Sequence, residues 1–216
     1  MKIVVLGATG HVGSRFLTEA VADGHEVVAF VRRPEAVPPH AGVRVVPGEA
    51  ADTAALTAAA TGADALLVSI TGSTKDATFM QRTLPPVIRA AQQAGVRRVV
   101  LVSAFGAGGT AEKAAWFMRL AYHTVLGTFF ADKDAADTVL AGTDLDWTIV
   151  YPVNLKDATA PASATVVDLD EVGAVPGVPT LPFDAAARAL LQVVTDPGMI
   201  GRRVLVTTPT GWRPVR

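Results

Sequence analysis

Short runs of β-branched and aliphatic residues alternate with longer Ala-rich stretches whose apolar positions recur at helical spacing. Residues 2–6 (KIVVL) form the first continuous apolar run and stop at Gly7. Over 12–22, Val12, Phe16, Leu17, Ala20 and Val21 fall on one helical stripe, which Asp-Gly-His at 23–25 ends. Further apolar runs lie at 26–31, 43–46, 64–69, 97–102, 146–151 and 203–207, with helical patterns at 52–60, 78–94, 113–126, 130–141 and 184–194. Pro85–Pro86 falls inside the 78–94 pattern. It predicts a kink or a late start, because proline lacks the N–H and crowds the carbonyl four residues back. Runs that are apolar throughout are buried on both faces. Their alternation with helices predicts an α/β fold, a single-domain doubly wound parallel sheet. Residues 152–182 are the least regular, with prolines at 152, 161, 176, 179 and 182, and read as a small substrate-side insertion within one domain over 1–216.

Composition narrows the chemistry. A chain of 216 residues, half of them apolar, can bury a sizeable core. Charged residues are 18% and the net charge is −1, so there is no cationic surplus for nucleic acid or an anionic membrane. There is no Cys, which excludes disulfides, thiolate nucleophiles and iron–sulfur ligation. The four His (His11, His25, His40, His123) are scattered without an i, i+4 ligand pair, so no metal site is expected. The run in MKIVVLGATG is too short for a signal sequence or a membrane span, and a cytoplasmic location is expected.

The chemistry concentrates at Gly7-Ala8-Thr9-Gly10-His11-Val12-Gly13, which joins the first strand to the first helix. In a dinucleotide site Gly7 makes the tight turn, Gly10 lets backbone approach a pyrophosphate, and Gly13 lets the helix pack close to the strand. The helix N-terminus then offers N–H groups to phosphate. An NAD site places an acid after the second strand to hold the ribose 2′-OH. This chain has Arg32 and Arg33 there, suited to a 2′-phosphate, or else a solvated pair on a loop. Glu49, after the third strand, is expected beside the adenine ring.

In order and spacing, GATGHVG, VRR, VVPGEA, VLVSAFGAG and LDWTIVYPVNL resemble the atypical short-chain dehydrogenase/reductases. Among these they are most similar to the small flavin reductase/biliverdin-IXβ reductase proteins and the NmrA-like proteins. The resemblance covers essentially the whole chain and implies a Rossmann fold, an NADP(H) cofactor and a site over the C-terminal ends of the strands. It implies that Ser103 and Ala104 lie beside the nicotinamide and substrate. Ser69, Ile70 and Gly72 would cover the nicotinamide ribose, and Pro152, Val153 and Asn154 would meet the nicotinamide amide. Flavin reductases of this type often carry His where Asn154 stands. Many wider relatives carry Tyr-x-x-x-Lys. Here the stretch is Phe129-Phe130-Ala131-Asp132-Lys133, which keeps the Lys without the phenol, and Tyr122 is two helical turns away.

Ser103, Asn154 and Lys133 are thus the catalytic candidates. Ser103 could instead be a turn hydroxyl, and Lys133 a surface residue pairing with Asp137 at i+4. Phe105, Trp116, Phe117, Tyr122, Phe129 and Phe130 cluster after the fifth strand. They could wall a planar-substrate site, form ordinary core, or make a subunit contact. The expected activity is NADPH-dependent hydride transfer to a flavin, quinone or similar planar aromatic acceptor by a monomer or homodimer. The alternatives are an NmrA-like NADP(H)-binding redox sensor without turnover, and a ketone reductase or isomerase acting on a polycyclic natural product.

Overall fold

The computed structural model describes residues 1–74, 76–124, 126–158 and 163–215, and within 121–124 the backbone alone. Its strands are β1 (Lys2–Leu6), β2 (Glu26–Val31), β3 (Val43–Pro47), β4 (Ala65–Val68), β5 (Arg98–Val102), β6 (Asp146–Pro152), β7 (Asn154–Lys156), β8 (Thr165–Asp168), β9 (Val172–Ala174), β10 (Thr180–Pro182), β11 (Arg202–Thr207) and β12 (Arg213–Pro214). The helices are α1 (His11–Ala22), α2 (Thr53–Ala60), α3 (Phe79–Ala94), α4 (Trp116–Thr124), α5 (Gly127–Ala141) and α6 (Phe183–Thr195).

Eight strands form the main sheet in the order β3-β2-β1-β4-β5-β6-β11-β8. Neighbours are parallel throughout except β8, which runs antiparallel to β11 at the edge. Every residue of β4 and β5 is buried, as continuous apolar runs require when helices cover both faces. Helix α1 packs against α6, while α2, α3 and α5 pack in succession. From β1 the chain moves outward to β2 and β3, then returns to the other side of β1 as β4. The ends of β1 and β4 therefore flank the crevice where open α/β sheets bind ligands. Among the described residues no helix is long and apolar enough to cross a membrane.

The expected doubly wound sheet is present, with two local differences. Residues 152–182 are more regular than their prolines suggest. They hold β7 and β10, which pair with each other, β9, which pairs with β12, and β8, which extends the main sheet. These strands are three or four residues long, too short to set up a readable period. Helix α3 starts at Phe79, well ahead of Pro85, and continues through both prolines to Gly95. Its start is held from outside. The Asp132 carboxylate on α5, only 3% exposed, accepts the N–H groups of Met80 (2.8 Å) and Gln81 (3.1 Å). A buried carboxylate on the first turn satisfies orphan donors and opposes the positive end of the helix dipole.

Asp132→Ala should therefore cost about 1–3 kcal/mol in urea unfolding, because it strands these donors out of water. Asp132→Asn, which keeps an acceptor, should cost less. Equal stability of the alanine variant and the wild type would remove this contact from the account.

Candidate functional site

The glycine turn is an interlock of backbones. Gly7 has φ +86°, and a Cβ there would overlap the carbonyl of Ser69 at the end of β4. A Cβ on Gly13 would overlap the carbonyl of Gly7, so α1 sits directly on the turn that feeds it. The Gly10 N–H closes the turn on Gly7 O at 2.9 Å. Gly10 is also the N-cap of α1 and has no side chain to cap it. The first helical hydrogen bond is Ser14 N–H to Gly10 O (2.9 Å), which leaves the N–H groups of residues 11–13 without a partner in the helix. Backbone approach without Cβ atoms, free N–H groups and a positive helix end together fit a pyrophosphate.

A cavity of about 300 Å³ opens beside this turn. Of the residues expected from the sequence, Gly7, Thr9, Gly10, Arg32, Arg33, Glu49, Ser69 and Ile70 line it. Leu6, Phe30, Val31, Phe79 and Thr83 give it a largely apolar wall. Gly72 makes room for that wall, since a Cβ there would lie 2.6 Å from Phe79 Cβ. Arg32 and Arg33 are exposed, and among the described residues neither enters an ion pair. Two guanidinium groups and an apolar slot leading to open N–H groups match the adenosine and phosphate half of a dinucleotide.

The other expected residues lie outside this cavity. His11 is exposed and stacks on Phe183 at 4.8 Å. Val12 and Pro152 border a small apolar gap between the sheet and α6, Val153 is buried, and Ala104 is half-buried after β5. Asn154 is exposed and its Nδ2 donates to Thr180 Oγ1 across the β7–β10 pair (3.2 Å).

Ser103 belongs to a second cluster, at the carboxyl edge of β5 and β6. It is 6% exposed, and its Oγ hydrogen-bonds Asp137 Oδ2 at 3.0 Å. The Tyr151 hydroxyl donates to the same oxygen at 2.9 Å, and both Tyr151 and Asp137 have no exposed surface. Asp137 Oδ1 is buried with no hydrogen-bond partner. Burial pushes the Asp137 carboxyl up to about 6, against the pull of the two hydroxyls, Lys133 and Arg203. The Tyr151 phenol is raised, first by burial and then by the Asp137 charge. Lys133 is 4% exposed, with Nζ 5.4 Å from the centre of the Phe129 ring, and burial lowers its pKa.

Lys133 is thus not a surface residue, and no Lys133–Asp137 ion pair is present among the described residues. The sequence reading missed Asp137 as a site residue and missed Tyr151 altogether. The Tyr-x-x-x-Lys spacing points to 129, with Tyr122 two turns away, whereas the phenol that meets Asp137 is Tyr151, next to last in β6. The Tyr122 side chain lies outside the described residues. The aromatic stretch also divides rather than forming one wall. Phe105 and Phe130 are buried and Phe129 packs on the core, while Trp116 is 78% exposed and meets Phe117 edge-on.

Comparison with known proteins agrees with the cavity. The NAD(P)H-binding family profile matches residues 7–197. The chain belongs to the NAD(P)H-binding family. Among curated proteins it is 27% identical over 156 residues to the photosystem II assembly factor Ycf39 of Synechocystis, covering 69% of this chain and 44% of that one. It is 34% identical over 118 residues to sterol demethylase protein B of Methylococcus capsulatus, covering 50% and 36%. The chain thus spans less than half the length of these relatives. Among solved structures, a short-chain dehydrogenase/reductase from Veillonella parvula in complex with NADP superposes with TM-score 0.80 at 17% identity, covering 98% and 96%. The anaerobillin reductase ChuY from Escherichia coli O157:H7 superposes with TM-score 0.79 at 24% identity, covering 97% and 98%. The structures bear out the Rossmann architecture, and the family match bears out the NAD(P)H-binding class that the resemblance implies.

Two expectations follow from the geometry. Gly13→Ala drives a Cβ into backbone that cannot swing aside, so it should cost at least about 1–3 kcal/mol of stability. It should also weaken NADPH binding in a fluorescence titration, and an unchanged titration would contradict the interlock. Asp137 sets a pH dependence. Its folded pKa lies above the unfolded value, so the folded state holds the proton more tightly and stability falls as pH rises from about 4 to above 6. Relative to Asp137→Asn, the wild type should lose roughly 2–3 kcal/mol across that window in denaturant titrations. A parallel pH dependence of the two proteins would refute it.

Proposed function

We propose that the protein is an NADPH-dependent reductase of a flavin, quinone or similar planar aromatic acceptor. Bound NADPH supplies a hydride to the acceptor. Arg32 and Arg33 support NADPH over NADH, because they border the cavity where an acid would otherwise hold a 2′-OH and would repel a phosphate.

The observation that carries the acceptor class is the direction of the available hydroxyls. Reducing a ketone creates an alkoxide that needs a positioned acid at once. Tyr151 is sealed from solvent and donates inward to Asp137, Ser103 hydrogen-bonds the same carboxylate, and Phe129 replaces the phenol of the Tyr-x-x-x-Lys pattern. Reducing a conjugated ring spreads the new charge over that ring and tolerates slower proton delivery. The protein's own task is then to hold two rings face to face, a proximity effect that can supply roughly 7–11 kcal/mol. The name of ChuY, a reductase, agrees with this class, while those of other relatives, the 3-beta-hydroxysteroid dehydrogenases, favour ketone chemistry. One feature favours a sensor without turnover. Trp116, Phe117 and Leu120 leave an apolar face of α4 exposed, as a partner-binding protein would.

An acceptor panel at pH 7 decides among these. NADPH oxidation with FMN, riboflavin or a quinone, and little with simple ketones, is the expected result. Fast ketone reduction would establish the second class, and no oxidation with any acceptor would leave the sensor. Arg32→Ala should reduce the preference for NADPH over NADH about tenfold or more, the loss of one charge-assisted phosphate contact. Equal wild-type affinity for the two cofactors would remove the phosphate-binding role.

A further inference from the structure

We propose, on the reading of the cavity as the adenosine and phosphate site, that Asp132 is a positioning residue for it. From α5, Asp132 holds the first turn of α3 as one wall of the cavity and so sets the affinity for the adenosine half of the dinucleotide. The identity of the acceptor plays no part in this.

The wall on the α3 side is a single helical turn. Phe79 and Thr83 are the residues of α3 that line the cavity, and Thr83 Oγ1 donates to Phe79 O at 2.7 Å. This turn is poorly tied to the helix that it begins. Pro85 and Pro86 lie inside α3 and have no N–H, so the carbonyls of Gln81 and Arg82 lose the bonds that residues four places on would give them. Two successive rungs of the ladder are missing directly after the turn, the kind of break at which helices bend.

Nor does the turn's own cap hold its start. Thr78 stands at the N-cap with no side-chain bond to the helix. Its Oγ1 accepts from Arg82 Nη1 instead, and Arg82 Nη2 pairs with Asp76 at 2.8 Å. The N–H groups of Met80 and Gln81 are those that a capping side chain would take, and both go to Asp132. That carboxylate is buried in the packing of α5, so it cannot follow the turn if the turn moves. The place of Phe79 is therefore set by α5 more than by the rest of α3.

On its other side Phe79 has no slack. A Cβ on Gly72 would lie 2.6 Å from both Cβ and Cγ of Phe79, so the loop after β4 sits directly against the ring. The turn cannot shift toward that loop, and a shift away from it widens the slot. A gap of about 0.5–1 Å already forfeits a quarter to a half of a contact's dispersion attraction. An apolar wall against the flat adenine ring is thus sensitive to small errors in the start of α3, and Asp132 is the group that limits them.

The test measures binding of adenosine 2′,5′-bisphosphate, the half of NADPH without the nicotinamide, to the full chain by calorimetry. The wild type, Phe79→Ala, Asp132→Asn and the double variant form a cycle, and thermal melting reports that each is folded. Phe79→Ala should weaken binding about tenfold. Asp132→Asn should weaken it about fivefold in the wild type, and less than about twofold once residue 79 is alanine. A carboxylate that only stabilises the fold would give no loss, or the same loss in both backgrounds. A second measurement needs no variant. Coupling is reciprocal, so the bisphosphate should slow hydrogen exchange at the Met80 and Gln81 amides of the wild type at least about fivefold. An additive cycle, or unchanged exchange at these two amides, would overturn the role of Asp132 and leave the cavity's assignment standing. If the wild type binds neither the bisphosphate nor NADPH, the assignment itself falls and the role of Asp132 with it.

Discussion

Everything in this site depends on how closely three stretches of backbone approach one another. The carbonyl of Ser69 stands where a Cβ of residue 7 would be, and the carbonyl of Gly7 stands where a Cβ of residue 13 would be. Two missing methyl groups let β1, β4 and α1 meet at the switch point of the sheet. Other features of the cofactor cavity follow from that contact. Helix α1 aims its unpartnered N–H groups at the turn, and the ends of β2 and β4 bring Arg32 and Ser69 to the walls. The contact is backbone on backbone, so no rotamer change can relieve a side chain added there. A sheet that reversed its strand order elsewhere would have no reason to keep these glycines.

The second cluster obeys a different rule. Polar groups inside a core are tolerated when they satisfy one another. Arg98 shows the satisfied case: its guanidinium donates to the carbonyls of Asp146, Val193 and Val194 and to Thr148 Oγ1, which ties β5 and β6 to the end of α6. Asp137 shows the unsatisfied one. Two hydroxyls converge on one carboxylate oxygen while the other stays bare, and a buried Lys133 lies nearby without an ion pair to it. A group whose charged form is this poorly housed either weakens the fold or exchanges its proton.

How far the sequence reveals this molecule depends on the range of each interaction. The strands and the glycine turn are local patterns, and they were legible because apolar runs and turn glycines act within a few residues of one another. Arg32 was legible because the end of β2 has a fixed place relative to the turn. Strand β8 was not, because four residues at an antiparallel edge carry little periodicity. The passage of α3 through Pro85 and Pro86 was not, because its N-terminus is held by Asp132, about fifty residues away. The Ser103–Asp137–Tyr151 cluster was illegible for the same reason. Its bonds span 34 and 14 residues and exist only once α5 has packed on the sheet. The i, i+4 spacing of Lys133 and Asp137 was visible, but spacing does not tell a solvated face from a buried one.

The two clusters draw on different strands of the sheet, and this separation has a chemical consequence. The cavity draws on β1, β2, β3 and β4, whereas the Asp137 group draws on β5, β6 and α5. Between them runs the carboxyl edge of the sheet, with Ser69 and Ser103 on neighbouring strands. Charge on the cavity side is cationic and exposed, at Arg32 and Arg33. On the other side it is buried and poorly compensated, at Lys133 and Asp137. Exposed guanidinium groups can capture a phosphate without altering the protonation of a carboxyl in a dry pocket several strands away. Affinity for a dinucleotide and the protonation of that carboxyl are then set by separate residues.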